Sequence, residues 1–258
     1  MRKAIISTTA DDNYLFNLPF AVFSWNKIGY DVKVMCAHDD YISPKFWIVR
    51  EFCANMDVEF ILYECEPHLK ATYAQVSRLF GAIGEDDSNI LITSDVDMCV
   101  FDANTFEQFP AVIGHDLADG LYPMCYCQMS TYQWKSIMNI TDTDRVKSRL
   151  SFIDKLPSKN IRGDYWSLDQ EMLTKAIKDS EFFFFKESRR NEGGTATRRA
   201  DRDGWPRRNN YADIIDAHLP RPLTAELNFE KVFELFCDKY PYNEVLWMID
   251  YRNKYLSL

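Results

Sequence analysis

Ile90-Leu91-Ile92-Thr93-Ser94-Asp95-Val96-Asp97 is the stretch on which the reading of this chain turns. An apolar run of strand length ends in two aspartates separated by one residue. Residues i and i+2 of an extended segment project to the same side. The strand therefore delivers two carboxylates, Asp95 and Asp97, to one place at the end of a sheet. Hard oxygen donors in that arrangement suit Mg²⁺ or Mn²⁺, ions that commonly bridge one or two carboxylates to a substrate diphosphate. A surface turn whose aspartates only cap backbone groups has the same composition. The preceding buried strand favours the metal reading.

Upstream, strand-like runs at 3–7, 31–36 and 58–63 precede this fourth one at 89–93. Between them lie helix-like segments. Residues 13–28 carry Leu15, Leu18, Ala21, Val22 and Trp25 at helical spacing, 44–55 begins with Pro44 in its first turn, and 69–83 is amphipathic. Alternating strands and helices imply a parallel sheet with helices on its faces, and ligands of such sheets collect beyond the carboxyl ends of the strands. The second half is less regular. Strands are expected at 111–114, 124–129 and 213–217, helices at 131–139 and 168–178, and a buried strand at 181–186 with its four consecutive phenylalanines. The aromatic tail 227–255 reads as helical as far as Pro241. The fold class is α/β, a mixed and mainly parallel central sheet flanked by helices, with a smaller subregion in the second half.

Composition narrows the function. With 258 residues, 47% hydrophobic and 27% charged, the chain is an ordinary globular one. No apolar run approaches the ~18–20 residues of a membrane helix, and polar residues follow Met1 through Ser7 at once. A cytoplasmic location and no integral membrane segment are expected. Thirty basic against 39 acidic residues give a net charge of −9, which argues against a nucleic-acid partner. The same charge opposes an anionic nucleotide unless a divalent cation intervenes. The seven cysteines are odd in number and mostly in apolar context, so they read as reduced core residues. Cys125-x-Cys127 has no second pair to complete a zinc site.

Other residues extend the site. His218, in Asp216-Ala217-His218-Leu219-Pro220-Arg221-Pro222, offers a neutral imidazole to Mn²⁺ from across the cleft, and Arg221 a guanidinium to a phosphate. A lone histidine in a Pro-rich turn is the plainer alternative. In Asp164-Tyr165-Trp166-Ser167-Leu168-Asp169-Gln170-Glu171, Ser167 and Gln170 suit a capping box. Asp164, Asp169 or Gln170 would otherwise face a cleft as carboxylate base or polar stabiliser, with Trp166 as a flat stacking surface. Thr8, Thr9 and Tyr14 follow the first strand, at the same sheet end as Asp95, and suit a nucleoside pocket. Gln75 and Arg78 lie one helical turn apart before the fourth strand, and Arg78 is placed to reach a diphosphate or ribose. Segment 186–208 holds eight basic and four acidic residues, a positive loop in an acidic chain.

These motifs resemble those of nucleotide-sugar-dependent glycosyltransferases of the GT-A fold. Asp95-Val96-Asp97 matches their D-x-D in type, context and position. Asp169-Gln170-Glu171-Met172-Leu173 is similar to the D-Q-[DE]-x-L segment of retaining members of the glycogenin and galactosyltransferase-like family, and Met129 through Lys135 to the strand-to-helix piece ending in Trp-Lys/Arg. His218 falls where the late metal-binding histidine lies. The family's Asn-Ala-Gly is absent near Pro123-Met124-Cys125, and its longer His-x-x-Gly-x-x-Lys-Pro-Trp is reduced to His218, Arg221 and Pro222.

The resemblance implies a single GT-A (Rossmann-like) domain, with 1–100 as nucleotide-binding half, 101–222 as acceptor and catalytic half and 223–258 as helical tail. It implies a nucleoside diphosphate sugar donor, by family habit UDP, a glycan or glycoprotein acceptor, and Mn²⁺ or Mg²⁺ as cofactor. Asp95 would touch ribose and metal, Asp97 and His218 would ligate the metal, and Asp169 and Gln170 would face donor sugar and acceptor. Retention of configuration follows only from the Asp169-Gln170 match. A sugar-phosphate nucleotidyltransferase wants a Gly-rich loop after the first strand, and Thr8 through Tyr14 contain no glycine. A haloacid-dehalogenase-type phosphatase places D-x-D after the first strand, not the fourth. A dinucleotide enzyme wants G-x-G-x-x-G, which does not occur. A noncatalytic carbohydrate-binding protein stays open.

Overall fold

The structure, a computed structural model, describes residues 1–114, 120–156, 165–188, 198–202, 204–206 and 211–258. The chain opens with β1 (Arg2–Thr9), α1 (Asp12–Leu15), α2 (Leu18–Lys27), β2 (Asp31–His38), α3 (Pro44–Cys53), β3 (Val58–Glu64), α4 (Lys70–Ser77), β4 (Ile90–Asp95) and β5 (Met98–Val100). It continues through β6 (Ala111–Gly114), β7 (Cys127–Ser130), α5 (Thr131–Met138), α6 (Thr143–Leu150), α7 (Leu168–Lys178), β8 (Phe185–Ser188), β9 (Arg199–Ala200) and β10 (Asp216–His218). Helices α8 (Glu226–Lys239), α9 (Tyr242–Val245) and α10 (Trp247–Leu256) complete it.

The seven-stranded sheet runs β3-β2-β1-β4-β7-β6-β8. All neighbours are parallel except those of β7, which pairs antiparallel with β4 and β6. This is the mixed, mainly parallel sheet that the sequence implied. The central strands alternate their apolar side chains between two cores. Ala4, Ile6, Val34 and Ile92 face the core under α2, α3 and the C-terminal helices. Ile5, Met35 and Leu91 face the core under α4, α5 and α7. A strand buried on both faces needs apolar residues at consecutive positions, which is why these runs do not alternate with polar ones.

Several elements differ from the sequence reading. The helix expected over 13–28 divides after Leu15, because Pro19 takes the first turn of a new helix, where its missing N–H costs nothing. The amphipathic segment at 69–83 ends early: α4 stops at Ser77 and a 3₁₀ turn, Arg78–Phe80, follows. Beyond it a Cβ on Gly81 would lie 2.5 Å from Ile5 Cγ2, so only glycine lets this segment sit so close to β1. The phenylalanine run is not a buried strand. Strand β8 begins at Phe185 on the sheet edge, and while Phe184 is buried, Phe183 is 75% and Phe185 44% exposed. The strand expected at 124–129 begins at Cys127, and the one at 213–217 shrinks to β10. Pro241 does not end the helical tail; it stands at the N-cap of α9, and α10 follows. Helix α10 packs aromatic side chains on α2, as Tyr251 on Phe20 (ring centroids 5.6 Å) and Trp247 on Phe23 (5.6 Å). Among the described residues no helix is long and apolar enough to cross a membrane.

A buried ionic cluster closes the amino end of the sheet. Lys33 on β2, 2% exposed at its side chain, donates to Glu85 Oε1 at 2.8 Å and to the Ile83 carbonyl at 2.7 Å. Lys3 on β1 donates to the same Oε1 at 2.8 Å, and Asn89 to Oε2 at 3.3 Å. Burial pushes the Glu85 carboxyl up, the hydrogen bonds from Lys3 and Lys33 push it down, and the balance lies below its ordinary range. Its stabilisation is complete above that range and is lost as pH falls through the lowered value. Glu85→Ala, which leaves the Lys3 and Lys33 ammonium groups only the longer pairs to the exposed Glu59 carboxylate at 3.5 and 3.8 Å, is expected to cost about 3 kcal/mol, read from the urea midpoint at neutral pH.

Candidate active site

Strand β4 ends at Asp95 beside Ser7 of β1, at the carboxyl end of the sheet. The chain turns through Val96 and Asp97 into β5. There a second, three-stranded sheet of order β5-β10-β9 begins. Strand β10 pairs antiparallel with β5, His218 opposite Met98, and Leu219 N donates to the Asp97 carbonyl at 2.8 Å. Backbone bonds thus pin His218 against the aspartate turn. Strand β9 runs parallel to β10, and Arg199 grips Asp216 with two bonds of 2.9 and 2.7 Å, while the Tyr126 hydroxyl donates to the same carboxylate at 3.1 Å. That largely buried clasp fixes the strand from which Arg202 emerges.

Three side chains converge on Asp97, whose own side chain is 4% exposed. Arg221 Nη2 and Nε donate to its Oδ2 at 2.5 and 3.2 Å, and Arg202 Nη2 donates at 3.1 Å. His218 Nε2 stands 3.5 Å from the same oxygen. On the other side of the ring, Arg202 Nε donates to His218 Nδ1 at 3.1 Å, and Asp201 Oδ1 lies 3.4 Å from Nδ1. Burial is the largest influence on the imidazole and lowers its pKa; Asp97 opposes it and Arg202 assists it. The ring is neutral at pH 7 and keeps a lone pair for a metal or a donor.

Asp95 turns the other way. Arg78, 7% exposed on the 3₁₀ turn, donates to Asp95 Oδ1 through Nη1 and to Asp169 Oδ2 through Nη2. Asp169, in the first turn of α7, is 1% exposed and takes the Gln170 N–H on its other oxygen at 2.8 Å. One guanidinium serves two carboxylates unequally. Burial raises the Asp95 carboxyl, but the charge and hydrogen bond of Arg78 outweigh it and hold it low. Burial raises Asp169 too, and there Arg78 does not compensate, with Asp95 adding to the rise. The Cys125 thiol, pushed well above its ordinary range by burial and then by Asp95, stays protonated and hydrogen-bonds Asp95.

The structure therefore brings Asp95, Asp97, His218, Arg78, Arg221 and Asp169 to one end of the sheet. Thr8 is buried and donates to the Thr9 carbonyl at 3.2 Å, while Thr9 donates to Asp11 at 2.6 Å. The Tyr14 ring lies under the Arg221 guanidinium, 4.4 Å from centroid to carbon. Gln170 is half-buried at the start of α7, and Trp166 is 57% exposed beside it. Asp164 lies outside the described residues. The expected capping box at Ser167 is not formed; its hydroxyl donates to Glu171 Oε1 at 2.7 Å, while a capping box joins Ser130 and Gln133 instead. Sequence reasoning did not single out Arg202, which one positive loop hid among eight basic residues, nor Lys70, which bridges Asp11 (3.4 Å) and Asp39 (2.8 Å) at the ends of β1 and β2.

For a divalent cation the donors fit in kind and in spacing. A carboxylate oxygen and a neutral imidazole nitrogen 3.5 Å apart are near enough for one ion to join them. They form only a partial shell: among the described residues no group of three His, Cys, Asp or Glu side chains is gathered tightly enough to hold a metal. Mg²⁺ and Mn²⁺ need no more from a protein when a diphosphate supplies further oxygens.

No protein-family model and no curated protein matches the chain by sequence. In overall shape it is similar to the galactosyltransferase LgtC solved with donor and acceptor sugar analogs, at TM-score 0.47 and 15% identity over 92% of this chain and 96% of that one. It is also similar to the glycosyltransferase GlyE of Streptococcus pneumoniae TIGR4 (0.43, 15%, 72% and 45%) and to the bifunctional glycosyltransferase WbbM (0.44, 13%, 95% and 51%). At these scores the likeness is one of chain path and assigns no residue a role.

Removing Arg78 takes the shared counter-ion from the buried Asp169 and the partly exposed Asp95. Arg78→Ala is expected to lower stability by about 3–5 kcal/mol. Adding Asp169→Asn should recover part of the loss, a non-additivity of about 0.5–3 kcal/mol measured by a double-mutant cycle in urea.

Proposed function

We propose that this chain is a glycosyltransferase that moves a sugar from a nucleoside diphosphate sugar, with UDP as the favoured nucleotide, to a hydroxyl of a glycan or glycoprotein. The observation that carries this reading is the convergence of Asp97, His218, Arg202 and Arg221 just beyond the carboxyl end of β4. In a chain of net charge −9, that point offers a diphosphate two guanidinium groups and a cation site together. Asp97 and His218 would hold Mn²⁺ or Mg²⁺, with Asp95 alongside. Bound there, the ion supplies Lewis-acid stabilisation of the leaving diphosphate.

The chain's own residues supply the rest. Arg221 and Arg202 take phosphate oxygens as charge builds on them. Thr9 and Tyr14 border the nucleoside end, and Arg78 fixes the Asp95 carboxylate in its ionised form near the ribose. Gln170 and Trp166 face the sugars, Gln170 as a polar stabiliser of positive charge on the anomeric carbon and Trp166 as a stacking surface. Asp169 has both oxygens committed, to Arg78 and to the Gln170 amide. It serves as the anchor of Arg78 and not as a base. That favours a retaining course, in which the acceptor attacks from the leaving-group side and loses its proton to the departing diphosphate.

Calorimetry of UDP in Mn²⁺ and in EDTA, for the native chain and Asp97→Ala, tests the reading. Binding should be tightened by Mn²⁺ in the native protein, and the variant should lose more than about tenfold of that enhancement, since even outer partners of a metal site are worth roughly 10–100-fold. Equal binding with and without metal, or none, would sink it.

A further inference from the structure

Asp97 and His218 are positioned as cation ligands, yet Arg202 engages both at once. Its Nη2 donates to Asp97 Oδ2 at 3.1 Å and its Nε to His218 Nδ1 at 3.1 Å. The second bond fixes the ring's tautomer. A neutral imidazole that accepts at Nδ1 carries its proton on Nε2, and Nε2 is the nitrogen 3.5 Å from Asp97 Oδ2. A nitrogen bearing a proton cannot ligate a metal. With Arg202 in place, the imidazole therefore presents a hydrogen where a cation needs a lone pair, and the carboxylate presents an oxygen already shared by two guanidinium groups.

The alternative arrangement is also built. Asp201 Oδ1 stands 3.4 Å from His218 Nδ1. Once Arg202 leaves, Nδ1 can carry the proton and donate it to Asp201, which frees the Nε2 lone pair toward Asp97. Metal-bound histidines usually hold their second N–H on a carboxylate in this way. Asp201 and Arg202 are adjacent, on the strap that the Arg199–Asp216 clasp fixes to β10. The two residues thus compete for one ring nitrogen from one short segment.

We propose that Arg202 is a latch on the cation site, released when a diphosphate takes its guanidinium. Resting as it does on the nucleotide-sugar reading, this makes cation and diphosphate mutually dependent ligands. A cation alone must displace Arg202 from Asp97 and His218 at the cost of both bonds. A diphosphate gives the guanidinium a new partner and opens both ligands together. By linkage the factor by which UDP tightens Mn²⁺ equals the factor by which Mn²⁺ tightens UDP.

The test is Mn²⁺ binding to the nucleotide-free protein, followed by the electron paramagnetic resonance of the free aqua ion, then repeated with UDP. Arg202→Met is expected to bind Mn²⁺ alone about tenfold more tightly than the native chain and to show a smaller enhancement by UDP. Arg202→Lys, which keeps the charge but cannot reach Oδ2 and Nδ1 together, should fall between them, and it replaces the first variant if circular dichroism shows that one misfolded. A residue that acts only as a phosphate ligand and a nearby charge would leave Mn²⁺ affinity in the absence of UDP at the native value in Arg202→Lys. That result, with Mn²⁺ and UDP still binding together to the native chain, overturns the latch and spares the proposed function. No Mn²⁺ binding to the native protein under either condition overturns both.

Discussion

Two carboxylates one residue apart at the mouth of a buried strand repel each other, and the protein's arrangement around them is an answer to that repulsion. Asp95 and Asp97 receive separate sets of cations from opposite sides. Arg78 rises from the 3₁₀ turn below β1 to take Asp95, and Arg202 and Arg221 come over from the second sheet to take Asp97. Like charges held close together near a protein surface repel by roughly a few kcal/mol, as much as the larger single contacts contribute to a fold. The charges therefore decide which loops sit over this end of the sheet.

That division gives each half of the molecule one side of the site. The parallel half supplies the aspartates and Arg78, so its contribution is rigid and tied to the cores on both sheet faces. The later half supplies His218, Arg202 and Arg221 from a sheet of only three short strands. Its anchors are specific: the buried Arg199–Asp216–Tyr126 group and the Leu219 amide on the Asp97 carbonyl. The small sheet is held by these polar bonds together with an apolar cluster of Ala200, Tyr211, Ala217 and Leu235, while β5 is set in the larger core.

The parallel half was legible because its signals are local. Apolar runs of strand length and helical spacing between them pointed to β1 through β4, and the fourth run led to Asp95 and Asp97; the i, i+2 expectation of two carboxylates on one side failed, because the strand ends at Asp95 and Asp97 lies in the turn beyond it, facing other partners. His218 and Arg221 stood out in the sequence as well, and the structure sets both against Asp97. What stayed hidden was pairing at a distance. Nothing near Arg78 names Asp169, 91 residues on, as its second partner. Nothing in a loop of eight basic residues marks Arg202 as the one that reaches both Asp97 and His218. The phenylalanine run misled for a related reason: hydrophobicity reports a preference for burial, but an edge strand has only one packed face to offer. The Ser167 cap failed because its hydroxyl found a carboxylate one turn along instead of the helix N–H groups.

The sequence separations within the site set an order of assembly. Arg78 lies 17 residues before Asp95, whereas Arg202 and Arg221 lie 105 and 124 residues after Asp97. Closing a long loop costs more entropy than closing a short one, and contacts between distant residues form slowly. A chain emerging from the ribosome can build β1 to β4 and neutralise Asp95 while Asp97 still waits for its partners. Asp95 can thus gain its counter-ion while residues 199–221, which carry the partners of Asp97, are still unmade, so the two aspartates are answered at different stages of synthesis.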